Sequence, residues 1–494
     1  MHGIKLTTAP GNAADTLFVA FATVEGEAPL TAPGTVRTLA KGQPVDITEE
    51  HPPYPVPLGV AKGARPGFIA VFHPDRVKYA PGDERVKTAV ADAWRMASRL
   101  KVGRMVLLLD GSGGASAAPA AAEGALLGAY MFTAFKGKPA KEPRCGVELL
   151  LDARAAKGVR HRVADAMTVA AGTNAARDLV NTPPSVLTPD ALAKVARSLA
   201  ARHGTLSCRV MSAAALARAG YTGTATVGRA SDASPCMIVM HHKPPRAAKG
   251  VRVALVGKAV TFDTGGICVK PPRDMWRMKG DMAGGAAVVA ALEAVAALRI
   301  PVEVYGIVPA ACNAIDGSAV LPGDIIRAAN GKTVQIDNTD AEGRLLLMDA
   351  LIEAARLKAT HAVDIATLTG AAAHALGPHM AALFSDDDAL AADITAAGAR
   401  AGELFWRLPM HHEYIEMMKS DAADLTNSSG KPSAGAITAA LFLREFVEPS
   451  MRWAHLDIAG TYMNERPWRY LGSGGTGFGV RTFVELVRGL AGKG

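Results

Sequence analysis

Short apolar runs alternate with segments of helical apolar spacing along this chain, and that rhythm confines it to a layered α/β fold. Residues 17–22, 68–72 and 105–109 are apolar runs bounded by turn residues, the pattern of buried strands. Between the last two, Val86, Val90, Ala93, Ala97 and Leu100 recur at three- and four-residue spacing behind Asp83 and Glu84, which predicts a helix with one apolar face. A further strand at 147–151 precedes a basic stretch at 157–162. A helical pattern then runs through Val163, Met167, Ala170, Ala171 and Asn174 until Asn181-Thr182-Pro183-Pro184 ends it. These boundaries predict a smaller N-terminal α/β domain over 1–157, a connecting helix over 158–182 and a larger domain over 183–494.

The larger domain restarts at Thr188-Pro189, a capping side chain followed by a proline suited to the first helical turn, with Leu192, Val195 and Leu199 on one face. Strand candidates at 251–256, 302–308, 362–366 and 453–458 follow, separated by helices such as 286–298. This order predicts a mainly parallel central sheet covered by helices, with ligands at the carboxyl ends of its strands. The Ala-rich stretch at 115–122 is biased composition that points to no function.

Composition narrows the function classes. A chain of 494 residues with 49% apolar and 20% charged residues has ample core and no disordered character. The net charge of +8 is modest at this size and is gathered in no polybasic tail. Cys145, Cys208, Cys236, Cys268 and Cys312 are odd in number and form no Cys-x-x-Cys, which argues against a disulfide framework and a thiolate zinc site. A reducing, cytoplasmic setting is expected. The opening residues lack an apolar signal region and the Ala-rich stretches carry Pro119, Glu123, Glu293 and Arg299, so neither secretion nor membrane spanning is expected.

Several motifs fail on spacing. Gly331-Lys332-Thr333 lacks the glycine five residues earlier that a phosphate loop needs, and His412-Glu413 leads into Tyr414-Ile415-Glu416 where a zinc helix needs a second histidine. No Gly-x-Ser-x-Gly elbow supports a serine nucleophile. What remains is a concentration of acids and lysines beside predicted strand ends: Lys258, Asp263 and Lys270 after 251–256, Asp281 before a small-residue helix start, and Asp340 with Glu342 two residues apart, which in an extended segment point to one side. Carboxylates converging on one crevice repel and raise each other's pKa unless cations join them. Four such groups balance two divalent ions, and an oxygen-rich set suits Mn or Mg, with Zn if nitrogen joins. Two such ions can activate a water and polarise a carbonyl or phosphoryl oxygen, which is hydrolase chemistry. Each residue alone has a plainer reading. Asp340 and Glu342 favour a helix N-terminus capped by Thr339, Asp263 suits an Asx turn, Asp281 suits an N-cap, and Lys258, Lys270 and Arg344 suit the surface.

Taken together, Gly257-Lys258, Thr261-Phe262-Asp263-Thr264-Gly265-Gly266, Lys270-Pro271, Asp281-Met282 and the octapeptide Asn338-Thr339-Asp340-Ala341-Glu342-Gly343-Arg344-Leu345 resemble the leucyl aminopeptidase (cytosol aminopeptidase) family. The likeness covers most of the chain after about residue 175 and little before it. It implies that Lys258, Asp263, Asp281, Asp340 and Glu342 bind two metal ions, Mn or Zn, with Asp263 and Glu342 bridging. Lys258 and Asp281 then complete the tighter site, and Asp340 the exchangeable one. Lysine ligates only as the neutral amine, so its pKa must fall well below ~10.4 there. By the same resemblance Lys270 stabilises the oxyanion, and Arg344 holds a bicarbonate that acts as base. The substrate α-amine meets the tight-site metal beside Asp281. Met278, Thr367, Gly370 and Ala459 line a pocket for a leucine-like side chain, and the protein is a homohexamer acting on peptides. The chain departs from the family at Ala259, usually glycine, at Met282-Ala283-Gly284-Gly285, and at 311–317, which lacks the expected Glu-Asn pair.

Two other readings compete with the peptidase. A two-metal phosphoesterase uses the same ligands on a different substrate. A nucleic-acid-binding regulator accords with the positive net charge, although no arginine-rich helix or aromatic-basic stripe supports it.

Overall fold

The computed structural model describes residues 4–21, 30–40, 55–58, 66–72, 80–138 and 145–492, so Ala22, at the end of the first expected strand, lies outside them. Two compact units emerge: Met1–Ala171 with Arg466–Gly472, and Gly172–Glu465 with Ser473–Gly494.

The first unit is built on β1 (Lys5–Thr7), β2 (Thr16–Phe21), β3 (Val56–Leu58), β4 (Gly67–Phe72), β5 (Arg104–Leu108) and β6 (Gly146–Leu150). They form one sheet in the order β1-β6-β5-β2-β4-β3, parallel throughout except for β3 against β4. Helix Gly82–Leu100 buries Val86, Val90, Ala93 and Ala97, as the spacing predicts. The Ala-rich stretch is helix Gly114–Gly128, whose small side chains let it lie closely along Gly82–Leu100. The downstream segment is tied in by Tyr470, whose hydroxyl donates to Glu84 at 2.8 Å. The expected connecting helix begins earlier than the sequence implies, spanning Ala153–Asn181 with the basic residues of 157–162 inside it.

The second unit holds β7 (Leu206–Ser212), β8 (Cys236–His242), β9 (Arg252–Gly257), β10 (Ala259–Asp263), β11 (Glu303–Asn313), β12 (Ile325–Arg327), β13 (Thr333–Gln335), β14 (His361–Ala366), β15 (Met380–Phe384), β16 (Leu404–Arg407), β17 (Leu425–Thr426), β18 (Arg452–Asp457), β19 (Met463–Asn464) and β20 (Gly474–Gly475). Nine of them make the central sheet, in the order β16-β15-β18-β14-β9-β11-β8-β7 with β10 beside β11. Its centre, from β18 through β14 and β9 to β11, is parallel, while β8 joins β11, β7 joins β8 and β15 joins β18 antiparallel. The molecule is thus a two-domain α/β protein with a smaller N-terminal domain and a mixed, mostly parallel sheet in the larger one.

Both faces of that sheet are covered, which explains why its central strands are mostly apolar along their whole length rather than in alternation. Ala254 and Val256 share a core with Leu346, Leu347 and Ala350 of helix Gly343–Arg356. Val253 and Leu255, equally buried, alternate to the other face, the side of helix Ala283–Ala297. That helix starts almost in contact with the strand ends, for a Cβ on Gly284 would lie 2.1 Å from the Ile365 carbonyl oxygen. The stretch Met275–Ala297 is long and apolar enough to cross a membrane, but 89% of its apolar window is buried as core. Its composition is that of a central helix.

Candidate metal centre

Each acid singled out by the sequence lies at the carboxyl end of a central strand or at the start of the helix behind it. Lys258 follows β9 directly. β10 pairs with β11 through a register shift between Val260 and Asp263, which sets Asp263 opposite Asn313. Asp263 Oδ1 accepts from the Gly265 amide at 2.9 Å and from Asn313 Nδ2 at 2.8 Å. The Asx turn is therefore real and coexists with the site. Asp281 sits between the 3-10 turn Met275–Gly280 and helix Ala283–Ala297, whose N-cap is Met282; its own Oδ1 accepts from the Thr367 hydroxyl at 2.6 Å.

The segment carrying Asp340 and Glu342 is a turn, contrary to the extended reading. Asp340 is fixed by its amide donating to Asn338 Oδ1 at 2.8 Å, and Glu342 takes the N-cap position of helix Gly343–Arg356 in helical conformation, φ −73°, ψ −36°, without capping it. Thr339 does not cap either. Its hydroxyl donates to the Gly265 carbonyl at 2.6 Å and accepts from the Cys268 amide at 2.8 Å, stitching two glycine-rich loops together. Turn and helix entry, rather than strand alternation, bring the two carboxylates together.

Oxygens of Asp263, Asp340 and Glu342 lie within 4.8 Å of one another. Two ammonium groups divide the carboxylates. Lys258 Nζ is 2.9 Å from Asp281 and 2.8 Å from Glu342, and donates to the Thr367 carbonyl at 2.9 Å. Lys270 Nζ is 2.9 Å from Asp263 and pairs with Asp340. Lys258 is 3% exposed, so it is no surface lysine. Its burial works against the ammonium, but the charges of Asp281, Glu342 and Asp263 outweigh that and hold it protonated; Lys270 behaves alike through Asp263, Glu342 and Asp340.

Two lysines do not satisfy four acids. Burial, then the repulsion of Asp263 and Glu342, pushes Asp340 up to about 7, and burial raises Asp281 well above the carboxylate range. Asp281 Oδ2 is buried beside Lys258 without hydrogen-bond geometry. An anionic, oxygen-rich cradle with an excess of carboxylates fits divalent cations.

The neighbouring residues shape this cradle. A Cβ on Gly343 would lie 2.6 Å from Lys258 Nζ, so the lysine crosses where any other side chain would stand. Arg344 is buried, with its Nε lacking a hydrogen-bond partner and its guanidinium 5.9 Å from the Phe442 ring centre. Burial takes it down to about 10 despite Glu342 and Asp457. Met278 accepts the Asp281 amide through its carbonyl at 3.2 Å, Thr367 touches both Lys258 and Asp281, Gly370 opens helix Gly370–Leu376, and the Ala459 amide donates to Asp457 at 3.1 Å. Ala259 is fully buried with its methyl toward Gly285 on the following helix.

Three residues that the sequence did not flag hold the loops. Asn313, noticed only within a departing segment, also donates to the Thr339 carbonyl at 3.1 Å. Asn427, with no exposed surface, accepts the amides of Asp337 and Asn338 at 2.8 and 3.1 Å and donates to the Asn338 carbonyl at 2.7 Å. Asp457 accepts from Leu368, Thr369 and Ala459. Apart from Ala459 beside Asp457, their partners are distant in sequence, so spacing carries little trace of them.

Comparison with known proteins agrees with this geometry. The catalytic-domain model of the cytosol aminopeptidase family matches residues 174–484. The family's N-terminal domain model matches residues 80–139, where the sequence alone offered little likeness. A probable cytosol aminopeptidase of Roseiflexus castenholzii is 42% identical over 416 residues, 83% of this chain and 84% of its own. Among solved structures, the bottromycin maturation enzyme BotP in complex with Mn is 38% identical, with a TM-score of 0.81 over 97% of this chain and 100% of its own. A mutant of tomato leucine aminopeptidase is 30% identical, with a TM-score of 0.83 over 99% and 96%. The chain belongs to the cytosol aminopeptidase family, as a metal-dependent aminopeptidase acting on peptides.

Proposed function

We propose that the enzyme removes leucine-like N-terminal residues from peptides with a free α-amine, using two divalent ions, Mn or Zn, per subunit. The observation that carries this reading is the convergence of Asp263, Asp281, Asp340 and Glu342 around only two ammonium groups. Asp263 and Glu342 would bridge the ions, Lys258 and Asp281 would complete one site and Asp340 the other. When bound, the ions supply an activated water and polarise the scissile carbonyl.

The remaining work falls to the chain itself. Lys258, to act as a ligand, must give up its proton, which positive charge brought into the cradle drives. Lys270, at the rim of the cluster with a 21% exposed side chain, stays charged and faces the oxyanion that develops on the carbonyl. Asp281 lies beside the position of the substrate's free α-amine, which restricts cleavage to the first residue. All the acids are committed, so the base must come from elsewhere. The buried, unpartnered Nε of Arg344 suits a bound bicarbonate in that role. Met278, Thr367, Gly370 and Ala459 would form the pocket for the leaving residue's side chain. The reading includes a cytoplasmic homohexamer.

The test is metal removal, addition of Mn or Zn, and assay of leucyl against N-acetyl-leucyl substrates. Restored turnover of the free-amine substrate alone is expected; equal turnover of both would overturn the amine anchor.

A further inference from the structure

We propose that Asp457 is a positioning residue that sets the side-chain preference of the enzyme by clamping the two loops of its pocket; the inference rests on the reading of Thr367, Gly370 and Ala459 as pocket residues. β14 and β18 are parallel neighbours that end in register, Ala366 opposite Asp457, and each runs into one of these loops. The Asp457 side chain, 2% exposed, spans them. Its Oδ1 accepts the amides of Leu368 at 3.2 Å and Ala459 at 3.1 Å, and its Oδ2 accepts from the Thr369 hydroxyl at 2.6 Å. That hydroxyl in turn accepts the Ala372 amide at 3.1 Å and so caps helix Gly370–Leu376.

One carboxylate therefore fixes the spacing between Thr367 with Gly370 on one side and Ala459 on the other. All three of its hydrogen bonds are accepted, and the Arg344 guanidinium supplies positive charge nearby. An amide copies this poorly. With its oxygen toward the two backbone amides, its NH2 takes the place of the acceptor that the Thr369 hydroxyl proton uses, so that proton must turn away and loses its partner. Flipped, its NH2 meets the two backbone donors. Either way a buried donor is left unpaired. Asp457 touches no proposed ligand, and Thr367 keeps its separate contacts to Lys258 and Asp281, so loosening the clamp widens the pocket without dismantling the metal cradle.

The experiment compares Asp457→Asn, Thr369→Val and Thr369→Ser with the parent, measuring kcat and KM on leucyl and glycyl anilides together with metal content. The expected result for Asp457→Asn and Thr369→Val is a leucyl-over-glycyl preference reduced at least tenfold, through a higher leucyl KM, at unchanged metal stoichiometry, with Thr369→Ser keeping the preference. A preference within twofold of the parent's in Asp457→Asn and Thr369→Val, or equal losses on both substrates, overturns the role given to Asp457. Gly370→Val reads the pocket separately: if it leaves the preference intact while Asp457→Asn abolishes it, the pocket assignment fails.

Discussion

Lys270 and Lys258 occupy similar ion pairs, yet the two lysines differ in what they can do. Lys258 is sealed between Asp281, Glu342 and the Thr367 carbonyl, whereas Lys270 stands at the open side of Asp263 and Asp340. Replacing Lys270 by Ala is expected to lower kcat by roughly 100- to 1000-fold, the usual cost of one oxyanion donor, with metal content unchanged. Steady-state kinetics with elemental analysis checks both halves; loss of metal would place Lys270 among the ligands. Gly343 makes a sharper case, because it touches no substrate. A methyl group there must push aside the far end of the Lys258 side chain, which can move, and not backbone, which cannot. Gly343→Ala is expected to fold normally by circular dichroism while binding less metal and losing activity.

The elements that sequence made legible are those whose pattern is local. β9, β11, β14 and β18 lie within a few residues of the expected apolar runs because burial on both faces keeps most of their positions apolar, and the buried polar pair Asp364 and His455 satisfies itself across β14 and β18. β7 and β16 escape a sequence reading because exposed residues such as Arg209 and Trp406 interrupt their apolar character, whereas β8 and β15 are buried apolar runs that the expected strands do not include. The site followed the same division. The proposed ligands stand out as acids beside glycines, but the turn at Asp340 and the roles of Asn313, Asn427 and Asp457 depend largely on partners far along the chain. Asn427→Ala removes three of the hydrogen bonds that hold the loop at Asp337 and Asn338 and is expected to weaken metal retention by roughly 10- to 100-fold, measured by competition with a chelating dye.

Helix Gly343–Arg356 has a second anchor in Asp349, fully buried, which accepts the Thr224 amide at 2.7 Å. Burial pushes Asp349 up to about 7 from the ordinary 3.8. Below pH 4 the carboxyl is protonated in folded and unfolded chains alike. Between about 4 and about 7 the unfolded chain releases a proton that the folded one keeps, so stability falls as pH rises, by at most about 1.4 kcal/mol per pH unit. Asp349→Asn removes this titration. Its stability relative to the parent is expected to rise from pH 5 to pH 7 and level off above, as read by chemical denaturation at each pH.

At the scale of the whole molecule, the excess of acids means that cations bound to the folded chain stabilise it by mass action. Stripping the metals is expected to abolish activity and lower Tm while the chain stays folded, because Lys258 and Lys270 already pair with the cluster. Restoring Mn or Zn should reverse both changes, as thermal denaturation and assay would report. Sedimentation of the loaded enzyme should give the mass of six chains.

The order in which the loops are tied has a consequence for synthesis. By the time Glu342 has been added to a growing polypeptide, all the proposed ligands exist, but the residues that hold them follow much later, at Asn427 and Asp457. β18, which lies against β14 in the middle of the sheet, arrives at the same late stage. A chain made only as far as Glu342 therefore carries the chemistry without the geometry, and peptide cleavage awaits the later segments that hold the loops.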